Sequence, residues 1–142
     1  MRIEQARRSD LAGIRWLLEY EHLPASDLTE SALERFLVCR DEKGVVGAVG
    51  LELYDDVALL RSLVVDRDMR GEGLGIRLTE AAESLAHRLG AASIYLLTTT
   101  AEEFFRRRGY RIVARAEAPA AIQSTTEFSR LCPSSAVLMV KP

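Results

Sequence analysis

The stretch from Val57 to Leu89 constrains this chain most. It begins with an apolar run, Val57 to Val65, whose β-branched pair Val64-Val65 reads as the end of a strand. A glycine-rich segment follows, Arg70-Gly71-Glu72-Gly73-Leu74-Gly75. Leu74, Leu78, Ala81, Leu85 and Leu89 then recur at helical spacing, so a helix is expected from about Gly73 to Leu89. A strand that empties into a glycine turn at a helix start gathers several backbone N–H groups and the positive end of a helix dipole around one point. Glycines there let a bulky anion approach the backbone. The expected ligand is a phosphate or pyrophosphate. The plain alternative is a helix start that only packs on its sheet. Two nucleotide motifs are excluded by spacing. A Walker loop ends in Gly-Lys-Ser/Thr, where this chain has Gly75-Ile76-Arg77. A dinucleotide turn is Gly-x-Gly-x-x-Gly, where this chain has Gly71-x-Gly73-x-Gly75.

The remaining elements surround this unit. Residues 1–7 read as a short strand. Ser9 is an N-cap candidate for a helix to about Tyr20, with Leu11, Ile14, Leu17 and Leu18 on one face. The stretch Glu21 to Asp27 breaks it, and Thr29 caps a shorter helix carrying Ala32, Leu33 and Phe36. Strands are expected at Phe36 to Cys39, Val45 to Leu53 and Val57 to Val65, the last two joined by a tight hairpin through Asp55-Asp56. Strands at Ser93 to Thr98 and Tyr110 to Arg115 flank a short helix, Ala101 to Arg108, and Ala136 to Lys141 is the last strand. Residues 116–133 read as loop with one helical turn. Trp16, Tyr20 and Tyr110 are expected in or around the core, with His22 and His87 at the surface. The order predicts an α/β (α+β) protein with a mixed sheet of about seven strands and about four helices.

The 142 residues allow one sizeable core, so residues 1–142 are expected to be a single domain. The net charge of −2 comes from interspersed signs, which gives no nucleic-acid surface. The Arg106-Arg107-Arg108 cluster reads as a solvated helix end favoured by the dipole, with a phosphate contact as the alternative. No apolar run approaches the ~20 residues that span a bilayer, and the first residues lack a signal peptide's apolar stretch. Cys39 and Cys132 have no metal-ligand spacing and read as reduced thiols. The expectation is a cytoplasmic protein with no metal, nucleic-acid or membrane partner.

With these residues in place, Leu63-Val64-Val65 through Gly75 resembles the main coenzyme A motif of the GNAT superfamily, Gln/Arg-x-x-Gly-x-Gly/Ala, on Arg70, Gly73 and Gly75. The element order is similar over nearly the whole chain. The resemblance implies that the backbone of Leu63, Val64 and Val65 pairs with the pantetheine arm as an added strand would. It implies that the N–H groups of Gly71, Glu72, Gly73, Leu74, Gly75 and Ile76 hold the pyrophosphate. It also implies that the strand ending at Val65 splays from the parallel strand starting at Ser93, admitting the thioester. A second signature, Thr98 to Tyr110, resembles the family's later motif, with Thr98 where many members have an arm-contacting Asn. Phe105 departs from the pattern. Many members have a tyrosine there that protonates the leaving thiolate. Either another group serves, such as water or a nearby tyrosine, or the thiolate leaves unaided, as a thiol of pKa about 8.5 allows.

Hairpin alternation puts Glu52, Leu59, Arg61, Leu63 and Val65 on one face, with Glu52 and Arg61 as diagonal neighbours. An acid and a base on an apolar face need a cause, because burying charge is costly. One reading is a structural salt bridge. The other gives Arg61 the acceptor's carboxylate and Glu52 the acceptor amine's proton. Segments Ala58 to Val65, Glu127 to Pro133 and Val137 to Lys141 resemble the GNAT branch associated with arsenic-resistance operons, and more distantly the N-acetylglutamate synthase type. The expectation is an acetyl-CoA-dependent N-acetyltransferase acting on a small, amino-acid-like amine by direct attack, with an N–H at Val64 or Val65 polarising the thioester. A silent acyl-CoA sensor and an interaction domain are the alternatives. A homodimer through the last strand is compatible with this fold.

Overall fold

The computed structural model describes residues 2–142, with the backbone alone for Leu131. Met1, in the expected first strand, lies outside them. Seven strands form one sheet: β1 Glu4–Gln5, β2 Phe36–Asp41, β3 Gly44–Tyr54, β4 Val57–Val65, β5 Ser93–Thr98, β6 Arg111–Val113 and β7 Val137–Lys141. Their spatial order is β1-β2-β3-β4-β5-β7-β6, so the last strand lies between β5 and β6 and, contrary to expectation, offers no free edge for sheet pairing with a second copy. Neighbours are antiparallel except β4 and β5, which run parallel. The α-helices are α1 Leu11–Tyr20, α2 Leu74–Arg88, α3 Glu102–Arg107 and α4 Ala120–Gln123.

The expected elements are present with shifted ends. Helix α1 starts two residues after Ser9, because Asp10 takes the capping position instead. Its carboxylate accepts from the Arg7 N–H at 2.6 Å and pairs with Arg40 at 2.5 Å. Thr29 precedes a 3₁₀ turn, Ser31–Arg35, and its Oγ1 accepts from the Ala32 N–H at 3.3 Å. The loop expected at 116–133 carries a 3₁₀ turn, helix α4 and a π-helical turn, Glu127–Leu131.

Apolar packing covers both faces of the sheet. On one, Leu74, Leu78, Ala82 and Ala86 of α2 meet Val49, Leu51, Leu60 and Ile94. The buried stripe is therefore rotated from the one expected: Ala81 and Leu85 are half-buried and Leu89 is exposed. Small side chains at 82 and 86 let the helix sit close to the strands. On the other face, Ile14, Leu17 and Leu18 of α1 pack with Leu28, Leu33, Phe36, Ala48 and Val64. Trp16 and Tyr20 lie outside this core. They are 59% and 52% exposed and stack on each other with ring centroids 5.2 Å apart.

Gly50 fixes the register of the first hairpin. It pairs with Phe36, whose buried ring lies across it, and a Cβ on Gly50 would stand 2.3 Å from ring carbons. Something must shift to admit that Cβ beside a fully buried ring, and overpacking costs about 1–3 kcal/mol. Gly50→Ala is expected at the upper end, with a melting point lowered by roughly 6–12 °C. A melting curve within 2 °C of wild type, at ~2–4 °C per kcal/mol, overturns this account of the contact.

Candidate functional site

The site forms where the sheet opens. β4 pairs with β5 only through Val57, Ala58 and Leu59. Beyond Leu59 the two strands diverge, while β5 stays paired with β7 through Thr98. The divergence coincides with a bulge in β4. Gly50 pairs with Arg61 and Ala48 with Val64, so β4 carries one extra residue there. Ser62 absorbs it in a left-handed conformation, φ 60°.

This bulge corrects the expected face. Glu52 does pair with Leu59, and Tyr54 with Val57. After Ser62, however, the alternation is reversed. Leu63 and Val65 pack toward α2, and Val64 joins the α1 side. Arg61 therefore does not share its face with Leu63 and Val65. An inserted residue flips every later side chain, and strand periodicity alone cannot show it.

Two cavities meet at the split. The larger, about 670 Å³, lies between Leu63, Val64, Val65 and the glycine turn. Gly71 and Gly73 adopt φ 86° and 77°, which side chains other than glycine's rarely accept, and a Cβ on either would meet nothing within 4 Å. Gly73 caps α2 without a side-chain hydrogen bond, leaving first-turn N–H groups beside this space. Gly75, Ile76 and Phe104 line it further, while the Leu74 side chain is buried. Glu72 is exposed and is not among the lining residues. Arg70 lies at the mouth, paired with Glu21 at 2.9 Å, and Arg67 pairs with the same carboxylate at 3.0 Å. These two guanidiniums, Arg70 first, hold the Glu21 carboxyl below its usual range.

The smaller cavity, about 380 Å³, shares Leu23 and Leu63 with the first. Arg61, Thr98, Phe105, Glu127 and Cys132 face it, with His22 at its edge. Thr98 Oγ1 accepts from the Ala101 N–H at 3.0 Å, so part of its hydrogen-bonding capacity shapes the start of α3. Phe105 is buried edge-on between Phe104 and Tyr110. Tyr110 donates to Glu83 at 2.9 Å, and burial raises its phenol far above the ordinary value. Tyr54 donates to Glu52, and burial raises it likewise. Among the described residues, no tyrosine lines either cavity. The Arg106 and Arg107 side chains pair with Glu102 and Glu103 on the same helix, and Arg108 lies over the Phe104 ring.

Arg61 is the hub of the second cavity. It is 4% exposed. Its Nη1 and Nη2 hold Asp27 in a two-point fork at 2.5 and 2.7 Å, and Nη1 also reaches Glu52 at 2.7 Å. Glu127 stands 3.7 Å from Nη2. Arg61 thus holds Asp27 below its usual pKa, while burial, above all, pushes Glu127 up to about 7. Burial likewise pushes the Cys132 thiol up to about 11, which disfavours its thiolate. Asp27 and Glu127 were not singled out by sequence as site residues. Both come from irregular segments, and the only signal was their sign, since a buried arginine needs carboxylates.

A family profile described as "Acetyltransferase (GNAT) domain" matches residues 32–112. Amino-acid acetyltransferases of Pseudomonas putida KT2440 and Pseudomonas aeruginosa PAO1 are each 29% identical over 106 residues, which is 73% of this chain. The chain spans about a quarter of their length, 24%. Among solved structures, N-acetylglutamate synthase from Neisseria gonorrhoeae, complexed with coenzyme A and N-acetyl-glutamate, superposes with TM-score 0.84 at 20% identity. It covers 99% of this chain and 34% of that one. Rv2747 from Mycobacterium tuberculosis, in complex with CoA, gives 0.82 at 22% identity, over 99% and 98% of the two chains. These likenesses establish the fold.

Proposed function

Because the chain belongs to the GNAT acetyltransferase domain family, we propose that it is an acetyl-CoA-dependent N-acetyltransferase acting on a small, amino-acid-like amine. The observation that carries the reading is the split between β4 and β5. It joins a glycine-lined space of about 670 Å³ to a second cavity lined by the Arg61 guanidinium and the Glu127 carboxylate.

In this reading the N–H groups of residues 71–76 and Arg70 hold the pyrophosphate, and the edge of β4 at Leu63 to Val65 holds the arm. Acetyl-CoA supplies an activated thioester. An N–H of Val64 or Val65 polarises its carbonyl, and one such donor is worth ~10²–10³ in rate. Thr98 and Phe105 wall the slot. Attack is direct, from the amine on the thioester carbonyl, and burial disfavours a Cys132 thiolate that would otherwise compete. The thiolate leaves without a tyrosine acid, because Phe105 has no proton and Tyr110 is held by Glu83.

Amino-acid acetyltransferases among the relatives support this acceptor class. An arsenic-containing amino acid belongs in the same screen. Arg61 is assigned to holding Asp27, Glu52 and Glu127 together rather than to the acceptor's carboxylate, because Asp27 closes its fork.

Acetyl-CoA at about 100 times its dissociation constant is expected to add ~2.7 kcal/mol of stability. A thermal-shift titration with ATP and NAD as controls measures it. No shift, or an equal shift with ATP, overturns the reading. The absence of a tyrosine at the split favours one rival, a silent acyl-CoA sensor. Thiol release with a panel of amines separates the two.

A further inference from the structure

Three carboxylates surround Arg61, and they are not equivalent. Asp27 has both oxygens in the Arg61 fork. Glu52 accepts from Tyr54 with one oxygen and from Arg61 with the other. Both line a separate cavity of about 250 Å³ that does not reach Leu63. Glu127 differs on each point. It lines the cavity that contains Leu63 and Cys132, and it is 4% exposed. Its nearest cation is Arg61 Nη2 at 3.7 Å, beyond a hydrogen bond. Among the described residues, no donor reaches its carboxylate. The turn that carries it is fixed independently. The Cys132 N–H donates to the Glu127 carbonyl at 2.8 Å, and Thr125 Oγ1 accepts from the Phe128 N–H at 3.2 Å. Arg115 lies over the Phe128 ring and donates to its carbonyl at 3.3 Å.

A buried carboxylate with free lone pairs, held rigidly against the space beside the thioester strand, is placed to receive a proton. We propose that Glu127, and not Glu52, takes the proton from the acceptor amine. The proposal rests on the acetyltransferase reading. The amine nitrogen forms a bond to the thioester carbonyl carbon as the C–S bond breaks. The electron pair leaves on sulfur, and the amine proton passes to a Glu127 oxygen directly or across one water. The groups acting on Glu127 are Arg61 from β4, Asp27 from the loop after α1 and Glu52 from β3, with Cys132 beside it on its own turn and Arg115 acting on Cys132. Burial and the two acids raise its carboxyl to about 7, and Arg61 opposes them. A base poised near neutrality suits this task.

The test follows thiol release from acetyl-CoA in the purified protein with the twenty proteinogenic amino acids and ethanolamine as acceptors. Glu127→Gln is expected to lower kcat by ~10²–10⁴ and leave the KM for acetyl-CoA unchanged. Wild-type kcat should rise with pH through about 7, and the variant should lose that limb. A second readout excludes simple unfolding. A carboxyl whose folded pKa is raised costs stability once the pH exceeds its unfolded value, and the cost grows up to the folded one. Glu127→Gln should therefore melt at or above wild type at pH 8. A kcat and pH profile equal to wild type overturn the proposal and leave the acetyltransferase reading intact. A loss confined to Glu52→Gln also overturns it. If wild type binds acetyl-CoA but releases no thiol with any acceptor, the transferase reading fails and this proposal with it.

Discussion

Gly73→Val is expected to weaken acetyl-CoA binding at least ~100-fold, a loss of about 2.7 kcal/mol. Two causes act together. Gly73 sits at φ 77°, where an L-residue costs about 1–2 kcal/mol and a β-branched one is worse off still. The backbone relaxes toward negative φ, and the N–H groups at the start of α2 then turn away from the space they face. The new side chain meets no protein atom within 4 Å at its Cβ, so it extends into open space. Gly75→Val separates the causes. Gly75 is within α2, and its Cβ would meet Phe104 at 3.6 Å and Val65 at 3.9 Å, ordinary contacts. This variant should keep wild-type stability and lose the coenzyme through crowding alone. Calorimetry on both variants, with circular dichroism as the fold control, measures the effect. Wild-type affinity in Gly75→Val, with a normal spectrum, moves the phosphate site elsewhere.

Arg61→Ala carries the largest expected loss of stability. It leaves Asp27, Glu52 and Glu127 facing one another without the guanidinium that links them. Breaking a buried ion pair from one side costs about 3–5 kcal/mol. The penalty depends on pH. Arg61 lowers the Asp27 pKa, so this contribution is complete above the unfolded value near 3.8 and is lost as the pH falls through the folded one. Wild type and variant should therefore differ most near neutrality and converge in acid. Arg61→Lys keeps the charge and loses the fork, which a lysine cannot reproduce. It should cost about 2 kcal/mol and reduce activity equally on a carboxylate-bearing amine and its decarboxylated analogue. A KM raised for the carboxylate-bearing amine alone, with an unchanged melting point, returns the acceptor's carboxylate to Arg61.

Elements whose information is local can be read from the chain alone. The apolar run ending at Val65, the turn at Gly71 to Gly75 and the amphipathic helix after it were legible, because period and glycine placement act over a few residues. The Glu52–Leu59 register was legible too, since a two-residue turn at Asp55-Asp56 leaves no freedom. The rest depends on contacts between segments far apart in the chain. The bulge at Ser62 has no composition signal, since it is set by how β3 and β4 share the packing against α1 and α2. It reversed the facing of Leu63 and Val65 and so changed which side chains accompany Arg61. Asp27 and Glu127 are separated by 100 residues of chain and meet only through the guanidinium between them. A charge buried in an apolar sheet must collect its counter-charges from wherever the chain passes. The partners of Arg61, unlike the glycine turn before α2, were fixed by packing and electrostatics across the fold rather than by the residues beside it.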